Sequence, residues 1–172
     1  MTQANKSRAL VIGLFLFLAA AACAVAPLPL IVRSAGVLLF SYASFAVAGA
    51  QLSLLTALVA PLAGLLTGDG DWLVMLPIIL ASNLLGMLGL EYAWRYVAVL
   101  VSPLLQSAPQ IVSYALSDQE LFEVDLPWGD GGLNWIALHA LIALFGVLAA
   151  LLLDRRQRRL QSGRQAGQPG AD

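Results

Sequence analysis

Charge is scarce in this chain. Only 11% of its 172 residues are charged, and nine basic residues stand against ten acidic ones for a formal net charge of −1. That balance excludes a basic nucleic-acid binder and a polyanionic disordered chain. Cysteine occurs once, as Cys23, which excludes a disulfide framework and any CxxC metal or redox pair. Histidine also occurs once, as His139, so no second imidazole exists to complete a zinc site. GxSxG and HExxH are missing, as is a Gly-Lys-Ser/Thr that would make Gly64 to Asp71 a phosphate loop. Asp69 and Asp71 begin a calcium-loop spacing, but the glutamate that would close it is absent, and a reverse turn is expected there. The expectation is a protein that is not an enzyme and carries no cofactor or metal of its own.

What is abundant is apolar surface. Hydrophobic residues make up 60% of the chain and the mean hydropathy is +0.83. Soluble domains are about 45–50% apolar and about 25% charged. A globule of this size buries only about two-thirds of the surface its unfolded chain exposes, too little to hide so much hydrocarbon from water. An integral membrane protein follows. Crossing a bilayer takes about 20 apolar residues in a helix, and six runs can be read: 9–26, 30–50, a shorter one set off by Gln51 and Ser53 and ending at Thr67, 72–90, 96–116 and 133–153. Every backbone group must find its partner inside the lipid, and no β-barrel alternation is present, so the runs are helices. The fold class expected is all-α, a compact bundle of six transmembrane helices over residues 1–153. The basic, Gly/Gln-rich segment 154–172 is expected to be a disordered cytoplasmic tail.

Six spans put both termini on one side of the membrane. Lys6, Arg8, Arg95, Arg155, Arg156, Arg158, Arg159 and Arg164 then share a face, which the positive-inside rule makes cytoplasmic. Asp69, Asp71, Asp118, Glu120, Glu123, Asp125 and Asp130 fall in the two opposite loops. The first span also has the outline of a signal peptide ending at Ala24-Val25-Ala26. Its apolar run is long and Pro27 would follow the cut, so a retained span is expected; cleavage would leave the other five oriented as before.

Polar groups inside hydrocarbon are costly and therefore informative. Asn83 lies near the midplane of the fourth span. Gln106, Gln110, Ser113, Tyr114 and Ser117 recur at three- and four-residue spacing, so they line one face of the fifth. Pro103 and Pro109 interrupt that helix and free carbonyls beside the stripe. Asn134, Trp135 and His139 enter the sixth span from outside, and Arg33 lies near the outer end of the second. Singly, such residues join helices through bonds worth about 0.6 kcal/mol on average. Together, Arg33, Asn83, Gln106, Gln110, Tyr114, Asn134, Trp135 and His139 converge from several spans in the outer half of the bundle, and a substrate-binding pocket is expected. His139 alone reads as a hydrogen-bonded core residue. Arg33 has three readings: snorkelling to the interface, pairing with a loop acid, or holding a ligand carboxylate. Trp72, Trp128 and Trp135 read first as an interfacial belt, with covering the ring of a bound heterocycle as the alternative. Trp94, Tyr92 and Tyr96 form the opposite belt, where Glu91 and Arg95 are spaced to pair. Ala20 with Ala24, and Ala22 with Ala26, make small-residue seams, as do Gly86 and Gly89. These serve either internal packing or docking of another membrane subunit.

The stretch QLSLLTALVAPLAGLLTGDGDWLVMLPIILASNLLGMLGLEYAWRY, Gln51 to Tyr96, resembles the central region of the S components of energy-coupling factor transporters. It has a span ending at Pro61, a turn through Leu65 to Gly68, the Met75 to Ile78 start of the next span, and the mid-helix Asn83. Six spans, cytoplasmic termini and an alanine-rich first span agree with that family. The resemblance implies capture of a vitamin or similar micronutrient near the outer face, under the loops between spans one and two and spans five and six. It also implies a transmembrane coupling subunit docking on Ala20, Ala22, Ala24 and Ala26, with two ATPase subunits beyond. The chain lacks the ligand-contact motifs of the better-defined vitamin subfamilies, and its loop from Ser117 to Gly132 is long and acidic. A second class stays open: a scaffold subunit like the small membrane protein of the cell-elongation (rod-shape) machinery. An unassisted channel is disfavoured, because no span is polar along its full length.

Overall fold

Proline and glycine divide the apolar sequence into its helices. The computed structural model describes residues 3–93, 96–118, 126–128 and 131–166. Helix α1 runs over Gln3–Val25 and α2 over Leu30–Ala48, with Pro27 and Pro29 in the connection between them. Gly49 takes φ +89°, a conformation that a β-carbon would strain, and so breaks the second apolar run from α3, Ala50–Val59. A 3-10 segment over Ala60–Thr67 completes the third span, with Pro61 in its first turn. Gly68, at φ +68°, turns the chain into α4, Gly70–Tyr92, whose first N–H groups are capped by the Asp69 carboxylate. Helices α5, Ala98–Asp118, and α6, Gly132–Ala166, follow.

Among the described residues no strand occurs, and six helical segments are long and apolar enough to cross a membrane. The chain is an all-α, six-helix, multi-pass membrane protein. Its six spans follow the sequence reading closely, but the second and third divide at Gly49 rather than at Gln51 and Ser53, which lie inside α3.

Two apolar clusters fill the bundle. Trp72, Met75, Ile79, Trp128 and Trp135 meet Ala24 and Val37 at the end bearing Arg33. Leu38, Tyr42, Met87, Leu90, Ala143 and Val147 fill the other end. Helices α4 and α5 pack backbone to backbone at Gly89, where a β-carbon would stand 3.0 Å from Ser102 Cα. In lipid the drive for such contact is packing and hydrogen bonding, which small residues permit. Helix α1 lies at the side of the bundle, with Val11, Phe15 and Leu18 exposed along one face.

Several expectations change. The helix of α6 continues through Ala166 into the segment expected to be disordered, because Arg, Gln and Leu, which dominate residues 155–161, are good helix formers. Trp72, Trp128 and Trp135 are buried within the bundle rather than ranged at an interface, since each packs into the cluster at the Arg33 end. Ala20 and Ala24 are fully buried by this chain's own packing, whereas Ala22 is exposed and Ala26 half-buried. Tyr92 and Tyr96 are exposed, as belt residues are. Trp94 and the Arg95 partner of Glu91 lie outside the described residues, as do Glu120, Glu123, Asp125 and Asp130.

Candidate functional site

Arg33 is placed one turn into α2, where its buried side chain reaches three elements. Its Nε and Nη2 donate to the Ala24 carbonyl at 2.9 and 2.5 Å. That carbonyl belongs to the last turn of α1, which has no N–H of its own to satisfy it. A cation at a helix C-terminus also meets the negative end of the helix dipole. Nη1 pairs with the Asp69 carboxylate, which also accepts from the N–H groups of Asp71 and Trp72 at the start of α4. The guanidinium carbon lies 4.3 Å from the centre of the Trp72 ring, whose own Nε1 donates to the Pro61 carbonyl at 3.0 Å. Of the three readings open for Arg33, the pair with a loop acid is the arrangement adopted.

Burial alone would push the Asp69 carboxyl up. The hydrogen bond from Arg33, those from Trp72 and Asp71, and the arginine charge outweigh it and hold the carboxyl below the usual carboxylate range. A folded value below the unfolded one, about 3.9, gives stability that is complete above that value and lost as pH falls through the folded one. Thermal unfolding in mild detergent is therefore expected to show the melting temperature dropping below about pH 4, and dropping less in Asp69→Asn. Equal acid slopes in the two proteins would remove this pair from the response.

Beside the clasp, four rings run from α5 to α6. Tyr114 meets Trp128 edge to face at 5.8 Å, and Trp128 meets Trp135 the same way at 6.0 Å. Trp135 stacks on His139 at 5.0 Å with 13° between the planes. Trp135 and His139 are four apart on α6, one turn, which makes the stack possible. His139 Nδ1 lies 2.8 Å from the Trp135 carbonyl and Nε2 3.0 Å from Ser34 Oγ. A carbonyl only accepts, so Nδ1 carries the hydrogen, and Nε2 can accept from the serine. His139 thus ties α6 to α2.

Above this ladder opens a cavity of about 400 Å³, lined by Leu30, Ile31, Pro127, Trp128, Gly131, Asn134 and Trp135. Small-molecule sites commonly hold about 300–1,000 Å³ and combine apolar walls with a few polar groups. The walls come from the start of α2, the start of α6 and the segment before it. Asn134 is exposed, whereas both tryptophans are buried.

A second polar group lies deeper. Pro61 has no N–H to return to the Ala57 carbonyl four residues back, and Asn83 Nδ2 supplies the missing donor at 3.1 Å. Gln106 Nε2 donates to Asn83 Oδ1 at 3.4 Å, which joins α4 to α5. Ser102 Oγ donates to the Gly86 carbonyl at 2.8 Å and lies 2.7 Å from the Tyr42 hydroxyl, which adds α2. Gln106 Oε1, Gln110 Oε1, the Ser44 and Ser82 hydroxyls and Trp128 Nε1 are buried without a hydrogen-bond partner.

The eight residues expected to form one pocket fall into three neighbourhoods. Asn134 and Trp135 line the cavity, with Tyr114 and His139 packed behind through the aromatic ladder. Arg33 forms the clasp, and Asn83 and Gln106 form the deeper network. Gln110 is buried one turn from Gln106. Leu30, Ile31, Pro127 and Gly131 were not read as site residues, because apolar and backbone walls carry no signal that separates them from packing. Among the described residues no group of three His, Cys, Asp or Glu could hold a metal ion. Compared with protein-family models, with curated proteins and with solved structures, the chain finds no match.

Proposed function

We propose that this chain is the substrate-capture subunit of an energy-coupling-factor-type importer, binding a vitamin or related small micronutrient at the outer face of a prokaryotic cytoplasmic membrane. Both termini are then cytoplasmic. The supporting observation is the cavity of about 400 Å³ beside the connection before α2 and the connection before α6. Those are the two loops under which the family resemblance puts its solute. The sequence has no nucleotide-binding motif, so ATP hydrolysis falls to two ATPase subunits through a transmembrane coupling subunit. On α1 that subunit would meet the exposed Ala22 and half-buried Ala26, because Ala20 and Ala24 are already covered.

The purified protein in mild detergent is expected to bind one member of a panel of uncharged heterocyclic micronutrients, read by tryptophan quenching and thermal stabilisation. Ligand at 100 times its dissociation constant adds about 2.7 kcal/mol of stability. Trp135→Ala removes a cavity wall and is expected to weaken that binding at least ~10-fold, in line with the cost of losing a buried aromatic anchor. A panel without a single stabiliser would sink this reading.

The scaffold reading draws on a different observation: Asn83, Gln106, Ser102 and Tyr42 bond to protein groups rather than to open space. The proteins that co-purify separate the two. An ATPase pair supports import, and cell-wall synthesis proteins support a scaffold.

A further inference from the structure

The lining of the cavity carries more than its volume. Trp128 is 8% exposed, and its indole N–H is buried with no acceptor. Buried indole N–H groups nearly always find one, because an unpaired donor forfeits its hydration without return. Trp128 and Trp135 stand at 87° to each other with centroids 6.0 Å apart, so their rings form a corner on the cavity. Asn134 lies on the same lining, exposed, and its amide offers two donors and one acceptor side by side. It rests close to the Gly131 backbone: a β-carbon on Gly131 would stand 2.9 Å from Asn134 Nδ2. Among the described lining residues none is charged.

We infer that the solute is a neutral, flat heterocycle with a lactam or imide edge. The ring sits in the Trp128–Trp135 corner, the Asn134 amide pairs with adjacent C=O and N–H groups, and a ring carbonyl takes the Trp128 N–H. This assignment rests on the solute-capture reading and narrows it. Each part has its reason. An aromatic corner favours a planar ring by stacking on one wall and edge contact on the other. A side-chain amide matches a C(=O)–NH edge with one donor and one acceptor, whereas a hydrocarbon ring would leave both unpaired. A charged ring would meet no counter-charge among the described lining residues. The Trp128 N–H is closed to water, so a solute reaches it only by shifting the indole. Binding should therefore change the tryptophan emission directly.

Theobromine and caffeine test this on the full-length protein in detergent. Both are neutral xanthines, and they differ by one methyl group that replaces an imide N–H. Binding is read from tryptophan emission excited at the red edge and from thermal shift. Theobromine is expected to bind at least ~10-fold more tightly than caffeine, the scale on which a site built for a hydrogen bond rejects an analogue lacking it. Asn134→Leu, an exposed substitution that leaves the core untouched, should bring the two affinities together. Trp128→Phe keeps a ring but removes the N–H, and should weaken theobromine while leaving the Asn134-dependent preference in place. Equal binding of both xanthines, or a preference that survives Asn134→Leu, would overturn the lactam assignment and leave solute capture standing. If neither xanthine binds while a heterocycle without a lactam or imide edge does, the assignment also fails alone. If no heterocycle of either kind binds, the capture reading fails with it.

Discussion

Arg33→Ala is expected to destabilise the bundle by about 3 kcal/mol, the low end of the loss on breaking a buried charge pair. Three contacts go at once. The Ala24 carbonyl at the end of α1 loses both its donors, the Asp69 carboxylate loses its counter-charge, and the Trp72 ring loses the cation over its face. Arg33 is 4% exposed overall, but the Asp69 side chain is 31% exposed. The stranded carboxylate can therefore regain water, which holds the loss to the lower end of that range. Arg33→Lys is expected to rescue little, because an ammonium cannot give two donors to one carbonyl, a third to a carboxylate and a flat face to an indole. Equilibrium unfolding in mixed detergent reads the difference. A loss below about 1 kcal/mol would mean the pair behaves as an exposed one.

Gly146→Ala is the second large effect, at about 1–3 kcal/mol for one methyl forced into a filled core. The added β-carbon would stand 2.5 Å from Tyr42 Cγ and 2.6 Å from its Cβ. Those are the stem atoms of a side chain 1% exposed, whose hydroxyl is held by Ser102. The ring cannot swing away without breaking that bond and the α2–α6 contact. Gly86→Ala makes the instructive comparison. There the shortest clash is with Gln106 Oε1, an atom without a hydrogen-bond partner at the far end of a flexible side chain, and a smaller loss is expected. Gly70→Ala meets nothing within 4 Å and should be close to neutral. A melting-temperature series that places Gly146→Ala level with Gly70→Ala would refute the packing described at Tyr42.

The elements that were legible share a cause. Lipid forbids an unsatisfied backbone, so each apolar run of sufficient length had to be a helix, and Gly68 and the Pro27 and Pro29 pair marked two of the breaks, whereas the break at Gly49 was read two residues late, at Gln51. The burial of Asn83, Gln106, Gln110 and His139 was legible for a similar reason, since amide and imidazole groups avoid lipid. Pro61 and Asn83 show where that legibility stops. Each stood out alone, but that one supplies the donor the other lacks depends on α4 lying against the third span, and nothing local encodes that.

Composition and periodicity by themselves determined that this is a six-helix membrane protein and which of its side chains are costly to bury, because solvent and backbone chemistry act on each segment separately. Only the tertiary structure decided that Arg33 joins the end of α1 to Asp69 at the start of α4, that the tryptophans turn inward, and that the cavity takes its walls from Leu30, Ile31 and Pro127. Those outcomes depend on which helices touch and at what height. Packing between distant segments sets that height, and no single segment contains it.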